Sequence, residues 1–299
     1  MTDLFQTSID GLMLGASYAL IALGFALVFG IMKKINLAYG SSLLLAASIS
    51  VWLNEIFVLS IFVNFVTLLI FSVIINIYIE RMCFAWHTGP AGIFPSMIAS
   101  FAIWMQLDEL AFRLIPDRTH FFKGIELGSI EIGQLFIKID ALFHFAVAIS
   151  AMFLLYLIMM KSKFGLLMRA ASENANTAWF LGARISSLGI SAFALAGLLG
   201  GLAAFLILSA NSQITPMFGM WCTFKGLVAM MIGGVGSLIG AVLGGLILGL
   251  LEAFVLFKLG VEFRELATFG VLFLILIIKP GGLLGGKSFM LIQEIEERV

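Results

Sequence analysis

The sequence predicts an all-α, polytopic integral membrane protein, and three observations lead to that fold class. Hydrophobic residues make up 62% of the 299 residues and charged residues only 11%, whereas charged residues make up about 25% of an ordinary soluble domain. Long apolar runs recur along most of the chain, and about 20 apolar residues suffice for one transmembrane helix. Only short stretches separate these runs, so we expect residues 1–299 to form a single membrane domain.

Charged residues and Pro/Gly clusters divide the chain into eight or nine predicted membrane segments. Two of them, 36–53 and 220–236, are short or rich in small and polar residues. Either is a candidate for a broken or re-entrant segment, because non-helical backbone at membrane depth is tolerated only where it lines a cavity or is buried in protein. The predicted segments are 9–32, 36–53, 56–79, 94–115, 141–160, 188–208, 220–236, 238–257 and 265–279.

The Lys and Arg residues of the short connections indicate the orientation of a membrane protein, since they are enriched on the cytoplasmic side. An external N-terminus places nine of them in the cytoplasm and, with nine segments, gives a cytoplasmic C-terminus. The other side receives five, interspersed with acidic residues. The nine predicted cytoplasmic residues are Lys33, Lys34, Arg81, Lys161, Lys163, Arg169, Arg184, Lys279 and Lys287.

Two connections are long enough to have structure of their own. On the external side, residues 116–140 contain the alternating sequence GIELGSIEIGQLFIKI, which predicts a small β-hairpin. This segment is either a simple connector or a docking surface for an external partner. On the cytoplasmic side, residues 161–187 contain a predicted short helix that Ser172 or Asn174 caps and that Gly182 ends.

One face of that cytoplasmic helix carries Ala171, Ala175, Ala178 and Trp179 at helical spacing. Small apolar residues around one aromatic ring suit a plug that inserts into a groove on another protein. The alternative is an interfacial helix that lies on the membrane with Trp179 at the depth of the lipid headgroups. The composition of the segment does not decide between the two.

The stretch 221–254 is apolar and rich in glycine, and it predicts two membrane helices joined by a tight turn. In lipid, small residues at intervals of four let helix backbones approach closely. Two sets of glycines have this spacing and are predicted to pack helices together. They are Gly236, Gly240 and Gly244, followed by Gly245 and Gly249.

The same hairpin carries two ionisable residues at matching depths. Lys225 lies twelve residues before Ser237 and Glu252 fifteen residues after it. Both are therefore roughly 18 to 22 Å from the turn, at about 1.5 Å per residue. We predict a structural ion pair between Lys225 and Glu252 near the outer end of the hairpin. In the alternative, Lys225 snorkels to the external interface.

Polar residues are also concentrated in INLAYGSS at 35–42, the first polar cluster of the chain, directly after the basic pair Lys33 and Lys34. Polar side chains here would be costly against lipid, so we expect them to face other helices or a water-filled path. Hydrogen bonding between helices is the simpler of the two explanations.

Neither an enzyme active site nor a metal or cofactor site is predicted. The formal net charge is zero, which gives no case for nucleic-acid binding. The two cysteines, Cys83 and Cys222, are too few for a metal site or a disulfide framework. GGLLGGKS at 281–288 matches the phosphate-loop pattern, but such a loop must join a strand to a helix within an α/β domain. A membrane segment and Pro280 precede it here, so we interpret the match as accidental.

Five segments, taken together, indicate a family. They are GLMLGASYALIALGFALVFGIMKKINLAYG near the start, IASFAIWMQ in the fourth segment, MRAASENANTAWFLGARI in the cytoplasmic connection, then GGVGSLIGAVLGGLILGLLEAF, and KPGGLLG. In this order and spacing, the chain resembles the integral membrane permease of the branched-chain amino acid ABC importers. The resemblance runs through nearly the whole chain.

The resemblance implies a permease subunit of a bacterial-type inner (plasma) membrane that hydrolyses nothing itself. Such permeases pair with a second permease subunit, related or identical. Two cytoplasmic ATPase subunits drive them, and an external substrate-binding protein delivers the cargo. Residues 161–187 would then be the loop that couples to the ATPase. The expected coupling residues are Arg169, Ala171, Glu173, Ala178, Trp179 and Gly182.

The expected transport pathway passes the polar cluster near the start of the chain. Two positions depart from the family pattern: Tyr39-Gly40-Ser41 stands where histidine, glycine and an acidic residue are usual, and Ile239 where proline is usual. Since the first departure falls beside the expected pathway, a permease for urea or a short amide is an alternative. The expected pathway residues are Asn36, Tyr39, Ser42, Ser100 and Thr223.

A secondary transporter or a channel is the alternative from a different class. A secondary transporter needs an ion-coupling site near the membrane midplane. Asp108 and Glu109 are the only acidic pair within a predicted segment, and they lie toward its outer end. A channel would not need the cytoplasmic loop with its alanines and tryptophan.

Overall fold

The computed structural model describes residues 2–86, 92–115, 119–122, 124–125, 128–132, 135–180 and 182–285. Within these residues the chain forms eleven α-helices, and a π-helical turn, Glu80–Phe84, extends the third. The helices are α1 (Thr2–Met32), α2 (Tyr39–Phe57), α3 (Ile61–Ile79), α4 (Ile93–Leu114), α5 (Ile139–Lys161), α6 (Lys163–Glu173), α7 (Ala175–Phe180), α8 (Ile185–Asn211), α9 (Phe218–Gly233), α10 (Leu238–Leu259) and α11 (Phe263–Ile278).

Nine of these helices coincide with the nine predicted membrane segments. In the described residues, α1, α2, α3 with its π-turn, α5, α8 and α10 are the six that are both long and apolar enough to cross a membrane. Helices α9 and α11 are shorter, with 16 residues each, while α4 carries Asp108, Glu109 and Arg113 in its second half. The predicted fold class, an all-α polytopic membrane protein, is confirmed.

The nine helices alternate in direction, so their connections fall at two ends of the bundle. The end that carries Lys33, Arg81, Lys161 and Lys279 also holds α6 and α7, and we call it the basic end. The other end, called the opposite end, holds the start of α1 and the connection from α8 to α9.

Short β-strands lie at the opposite end. The predicted hairpin is confirmed: β2 (Ser129–Ile132) pairs antiparallel with β3 (Leu135–Lys138). A second pair was not predicted, because it joins β1 (His120–Phe121) to the distant β4 (Gln213–Ile214). Two-residue strands carry no periodicity that a sequence could reveal.

Helices α1 and α10 pack antiparallel through glycine. A methyl group added at Gly15 would lie 2.9 Å from the Cα atom of Leu246, and one added at Gly249 would lie 2.6 Å from the carbonyl oxygen of Gly11. Gly245 meets the backbone of Ala19 in the same seam. The absence of side chains therefore brings the two backbones into direct contact, as small residues do in membrane bundles.

The other predicted glycines divide between a helix face and a turn. Gly240 and Gly244 face α9, and a methyl group on Gly240 would lie 2.5 Å from the carbonyl oxygen of Gly233. Gly236 does not share that face, although its spacing grouped it there. It lies in the turn before α10 with a φ of +80°, a conformation that glycine adopts readily. The hydroxyl of Ser237 then caps α10 by accepting from the amide of Gly240 at 3.0 Å.

The chain beyond α11 closes over the turn between α9 and α10 at the basic end. The amide of Leu283 donates to the carbonyl of Ile232 at 2.9 Å, and that of Leu284 to Gly233 at 2.8 Å. The described part of the phosphate-loop-like motif is thus a backbone strap over this turn. The rest of the motif, residues 286–288, lies outside the described residues.

Candidate functional site

The backbone leaves helical geometry between α1 and α2, where the first polar cluster lies. Lys33 has a φ of +53°, and the chain stays irregular until α2 begins at Tyr39, beside the middle of α1 and α8. Burial lowers the pKa of both Lys33 and Lys34. Helix α2 therefore starts inside the bundle, as expected for a broken segment, and a short non-helical stretch leads to it.

Tyr39 is enclosed at the start of α2. Its hydroxyl donates to the carbonyl of Ala196 in α8 at 2.7 Å, and its ring meets Phe25 edge-on with centroids 4.7 Å apart. Methyl groups on Gly24 and Gly200 would lie 2.6 and 2.8 Å from the Cζ atom of the tyrosine. Two glycines therefore make the space that this aromatic ring fills.

Asparagine and serine link α2 to α3 just beyond Tyr39. The amide group of Asn76 donates to the hydroxyl of Ser42 at 2.8 Å, and Ser42 donates to the carbonyl of Tyr39 at 2.5 Å. The Oδ1 atom of Asn76 is buried without a hydrogen-bond partner among the described residues. One acceptor in this seam is therefore unused.

Thr223 and Ser100 bind the same region from α9 and α4. The Thr223 hydroxyl accepts from the amide of Gly40 at 3.1 Å, and the Ser100 hydroxyl accepts from the amide of Leu37 at 3.3 Å. Asn36 lies in the non-helical stretch before α2, and its Oδ1 atom accepts from the amide of Ala38 at 3.1 Å. Its Nδ2 atom is buried without a hydrogen-bond partner in the described part of the chain. All five expected pathway residues are thus brought into one buried cluster around the start of α2.

A second polar cluster lies toward the opposite end and joins α1, α9, α10 and α11. The structure has the predicted ion pair, with Lys225 Nζ 2.5 Å from Glu252 Oε1, and both side chains are only 1% exposed. Lys225 also donates to Glu265 at 2.9 Å, and Thr268 donates to Glu252 at 2.9 Å. The ion pair is the centre of a larger network.

Arg264 and Tyr18 complete this network. The Arg264 guanidinium donates through Nε to Glu252 at 2.7 Å and through Nη2 to the Tyr18 hydroxyl at 2.7 Å. Tyr18 itself donates to Glu252 at 2.8 Å, and Arg264 lies 6.0 Å from the centre of the Trp221 ring. Two cations face two carboxylates, so the charges of the network balance.

An open cavity of about 560 Å³ lies next to this network at the opposite end. Its walls come from α1, α5, α8, α9, α10 and α11 and include Glu252, Arg264 and Trp221. Polar residues of α1 and α5, Asp10 and His144, line it as well. The cavity is separate from the cluster around Tyr39, which contributes none of its lining residues.

The cytoplasmic segment contains two helices, α6 and α7, and Asn174, one of the two predicted caps, lies between them. Ser162 caps α6 by accepting from the amide of Gly165 at 3.0 Å, and Asn174 caps α7 by accepting from the amide of Thr177 at 3.0 Å. Helix α7 ends as predicted at Gly182, which has a φ of +90°. The amide of Ala183 donates back to Ala178 at 3.0 Å, a Schellman ending.

The break corrects the predicted shared face of this segment. Ala171 and Ala178 are 3% and 2% exposed and face the protein, whereas Trp179 is 63% exposed and faces away. The side chain of Ala175 lies outside the described residues. An aromatic pair is exposed instead: Phe180 is 80% exposed and its ring lies 5.2 Å from that of Trp179. Arg169 and Glu173 are exposed on α6.

Comparison with known proteins identifies the family. Residues 8–279 match the model of the family described as branched-chain amino acid transport system / permease component. The chain belongs to this family. It is a membrane-spanning permease component of a transport system, which confirms the resemblance noted in the sequence.

Individual relatives cover nearly the whole permease. The high-affinity branched-chain amino acid transport system permease protein BraD of Pseudomonas aeruginosa is 28% identical over 94% of this chain and 95% of its own. The permease protein LivH of Escherichia coli is 25% identical over 94% of this chain and 95% of its own. Among solved structures, PsaBC from Streptococcus pneumoniae in complex with Fab gives a TM-score of 0.48 at 15% identity, covering 92% of this chain and 89% of that one.

Several residues of this permease's second cluster escaped the sequence analysis. Arg264 and Glu265 gave a weak signal, since they are charged residues at the start of a membrane segment. Tyr18 gave none, because it is an aromatic residue in a long apolar run, 234 positions from Glu252. Phe180 was missed because the face was drawn on one continuous helix.

Proposed function

We propose that this permease is the membrane-spanning subunit of an ATP-driven importer for branched-chain or related amino acids. The match of residues 8–279 to the permease family carries the proposal. The names of BraD and LivH, which align over nearly their full lengths, support the cargo class. An external binding protein would deliver the cargo, and the membrane would be a bacterial-type inner membrane.

The subunit would hydrolyse nothing itself and would act with two cytoplasmic ATPase subunits and a second permease subunit, related or identical. The basic end would face the cytoplasm, in accordance with the enrichment of Lys and Arg on that side. The segment 161–187 lies at this end, where an ATPase could reach it.

Coupling to the ATPase would use α6 and α7. The exposed rings of Trp179 and Phe180 offer a compact apolar knob, and the exposed Arg169 and Glu173 flank it with charge. The buried Ala171 and Ala178 would seat the segment on the bundle rather than touch the ATPase. Gly182 would fix its end, since φ of +90° suits glycine.

The transport pathway would pass the cluster at the start of α2, which contains Asn36, Tyr39, Ser42, Ser100 and Thr223. A buried set of polar side chains within membrane helices marks a functional site by default. The two unused amide atoms, Asn36 Nδ2 and Asn76 Oδ1, would be available to a passing polar group. Rocking of the helices would open this region to one side and then to the other.

The alternative within the family is a permease for urea or a short amide, and such a cargo is uncharged. Tyr39-Gly40-Ser41 presents only neutral side chains, which would also suit urea or a short amide. Uptake measured for leucine, urea and acetamide, each with its binding protein, would separate these cargoes.

Reconstitution in vesicles tests the proposal directly. The permease, its partner permease, the ATPases and the binding protein should together give leucine uptake that depends on internal ATP. Omitting the ATPases should abolish it. Uptake driven by an ion gradient through this chain alone would refute the proposal and favour a secondary transporter.

A further inference from the structure

The cavity at the opposite end has the size and walls of a small-molecule site. Its volume of about 560 Å³ lies within the range of roughly 300–1,000 Å³ that such sites have. Leu206, Leu256 and Trp221 supply apolar surface, and a few polar side chains converge on it. Several of the lining residues, among them Ala210, Asn211 and Gln213, are exposed, so the cavity is accessible from that end.

Arg264 presents a fixed cation to this cavity. A guanidinium has five N–H donors, and the hydrogen bonds of Arg264 to Glu252 and Tyr18 use its Nε and Nη2 atoms. Its side chain is 26% exposed and lines the cavity, which leaves donors for a ligand. Trp221 and Glu252 hold the group in place, so little entropy is lost when a carboxylate binds its planar fork.

His144 is an independent sign of a missing partner. The residue is 6% exposed and lines the same cavity, yet its Nε2 atom has no hydrogen-bond partner in the described part of the chain. Buried polar atoms in folded proteins are nearly always hydrogen-bonded, to protein or to something else that occupies the site. Asp10 is exposed at the rim of the cavity, and its carboxylate would attract the ammonium group of a ligand.

We propose that this cavity is a transit site for a zwitterionic amino acid with an apolar side chain. Arg264 receives the carboxylate, His144 provides a second polar anchor, the ammonium lies toward Asp10, and the leucine and tryptophan walls hold the side chain. The proposal rests on the proposed function and adds a site within a single subunit, apart from the cluster at Tyr39. Cargo would bind here before it reaches the middle of the bundle.

Thiol labelling in the assembled transporter tests the site without ATP turnover. Ala210→Cys places a thiol in an exposed part of the lining, and the native Cys83 and Cys222 are buried, so a membrane-impermeant maleimide reports on the introduced thiol. An excess of leucine should slow labelling. Isoamylamine and 4-methylpentanoate, which each lack one charge of leucine, should slow it much less.

Val261→Cys is the matched control, because Val261 is 71% exposed at the same end and does not line the cavity. Its labelling should be unaffected by leucine. Equal labelling of Ala210→Cys with and without leucine would overturn the proposal, as would failure of the maleimide to reach that thiol. Equal protection by all three compounds would also overturn it, because the apolar part of the molecule would then be enough for protection and the two charges of leucine would not be recognised.

His144→Leu separates binding from folding. The substitution removes a buried, unpaired nitrogen, so the unfolding temperature in detergent should stay the same or rise. Protection of the introduced thiol by leucine should weaken roughly tenfold, as expected when one hydrogen bond to a charged group is lost. Full protection in this variant would exclude His144 from the site.

The two proposals fail in different ways. Loss of ATP-driven leucine uptake in the complete wild-type system would refute the importer, whatever the labelling shows. ATP-driven uptake with no leucine protection at Ala210→Cys would retain the importer and refute the transit site.

Discussion

At the residue scale, Glu252 of α10 is the acceptor on which three other helices, α1, α9 and α11, converge. Lys225, Arg264, Tyr18 and Thr268 all donate to its carboxylate. A buried ion pair brings little net stability compared with an apolar pair, but removing one partner leaves the other charge uncompensated. The carboxylate is therefore more important for holding its neighbours in place than the strength of any single bond suggests.

Glu252→Ala should lower the stability of the permease in detergent by about 3–5 kcal/mol, since it leaves Lys225 and Arg264 without their shared partner. Thermal unfolding followed by the loss of monodisperse protein measures the effect. Glu109→Ala is the control, because the Glu109–Arg113 pair is largely exposed and should change stability by less than about 1 kcal/mol. Similar losses in the two variants would contradict a special role for Glu252.

The matching depths of Lys225 and Glu252 in the hairpin were enough to predict their pairing from the sequence. The other members of the network could not be found that way. Tyr18 and Arg264 meet 246 positions apart, and such contacts depend on how α1 packs against α10, which local patterns do not encode. Asn36, Ser42 and Thr223 were found because polar residues in membrane segments are rare and stand out.

At the element scale, the seam between α1 and α10 depends on the missing side chains of its glycines. Gly249→Ala should destabilise the permease by about 1–3 kcal/mol, the typical cost of overpacking, because the new methyl group would lie 2.6 Å from the carbonyl oxygen of Gly11. In α11, an added methyl group at Gly270 meets nothing within 4 Å. Gly270→Ala should therefore be neutral, or stabilising by up to about 1 kcal/mol through helix propensity.

Unfolding temperatures of these two variants in the same detergent check the prediction. A stability loss at Gly270→Ala as large as that at Gly249→Ala would show that helix propensity or lipid contact, not backbone packing, governs these positions. The glycine spacing in the sequence predicted close packing but not the partner, and it placed Gly236 on a helix when it belongs to a turn.

The role of α6 and α7 in coupling to the ATPase can be tested by substitution. Trp179→Ala and Phe180→Ala should each reduce co-purification of the ATPase subunits and ATP-driven uptake. Both rings are exposed, and large aromatic side chains often supply most of the binding energy of an interface. Membrane insertion should be unchanged. Phe121→Ala, an equally exposed aromatic residue at the opposite end, should leave ATPase association intact.

Normal ATPase association and uptake in both aromatic variants would remove α6 and α7 as the coupling segment. The sequence predicted a helix here and named Asn174 as one of its two possible caps, and the Asn174 side chain does cap α7. The predicted face was wrong because it ran across this cap to Ala171 in α6. That one capping bond changes which residues face outward.

At the scale of the whole molecule, the alternation of nine helices fixes which connections share a side. The basic end should face the cytoplasm. Thr177→Cys, exposed on α7, should react with an impermeant maleimide only in inside-out vesicles, and Val261→Cys only in intact cells. The reverse pattern would invert the assigned orientation and with it the side from which the cavity at the opposite end is entered.

The fold class followed from hydropathy, because each crossing must bury its backbone polar groups in a helix. The count of eight or nine segments also needed the charged residues and Pro/Gly clusters that bound the apolar runs. The arrangement of the helices did not follow, since lipid and protein interiors are equally apolar and helix pairing depends on small residues and buried polar contacts.

The strap formed by Leu283 and Leu284 ties α11 to the turn between α9 and α10 at the basic end, while the charge network ties the same helices at the opposite end. Helices fastened at both ends cannot splay apart, so α9, α10 and α11 form a lever of constant shape. Any bending that accompanies transport is therefore displaced to the connection between this unit and α8, the non-helical stretch before Phe218.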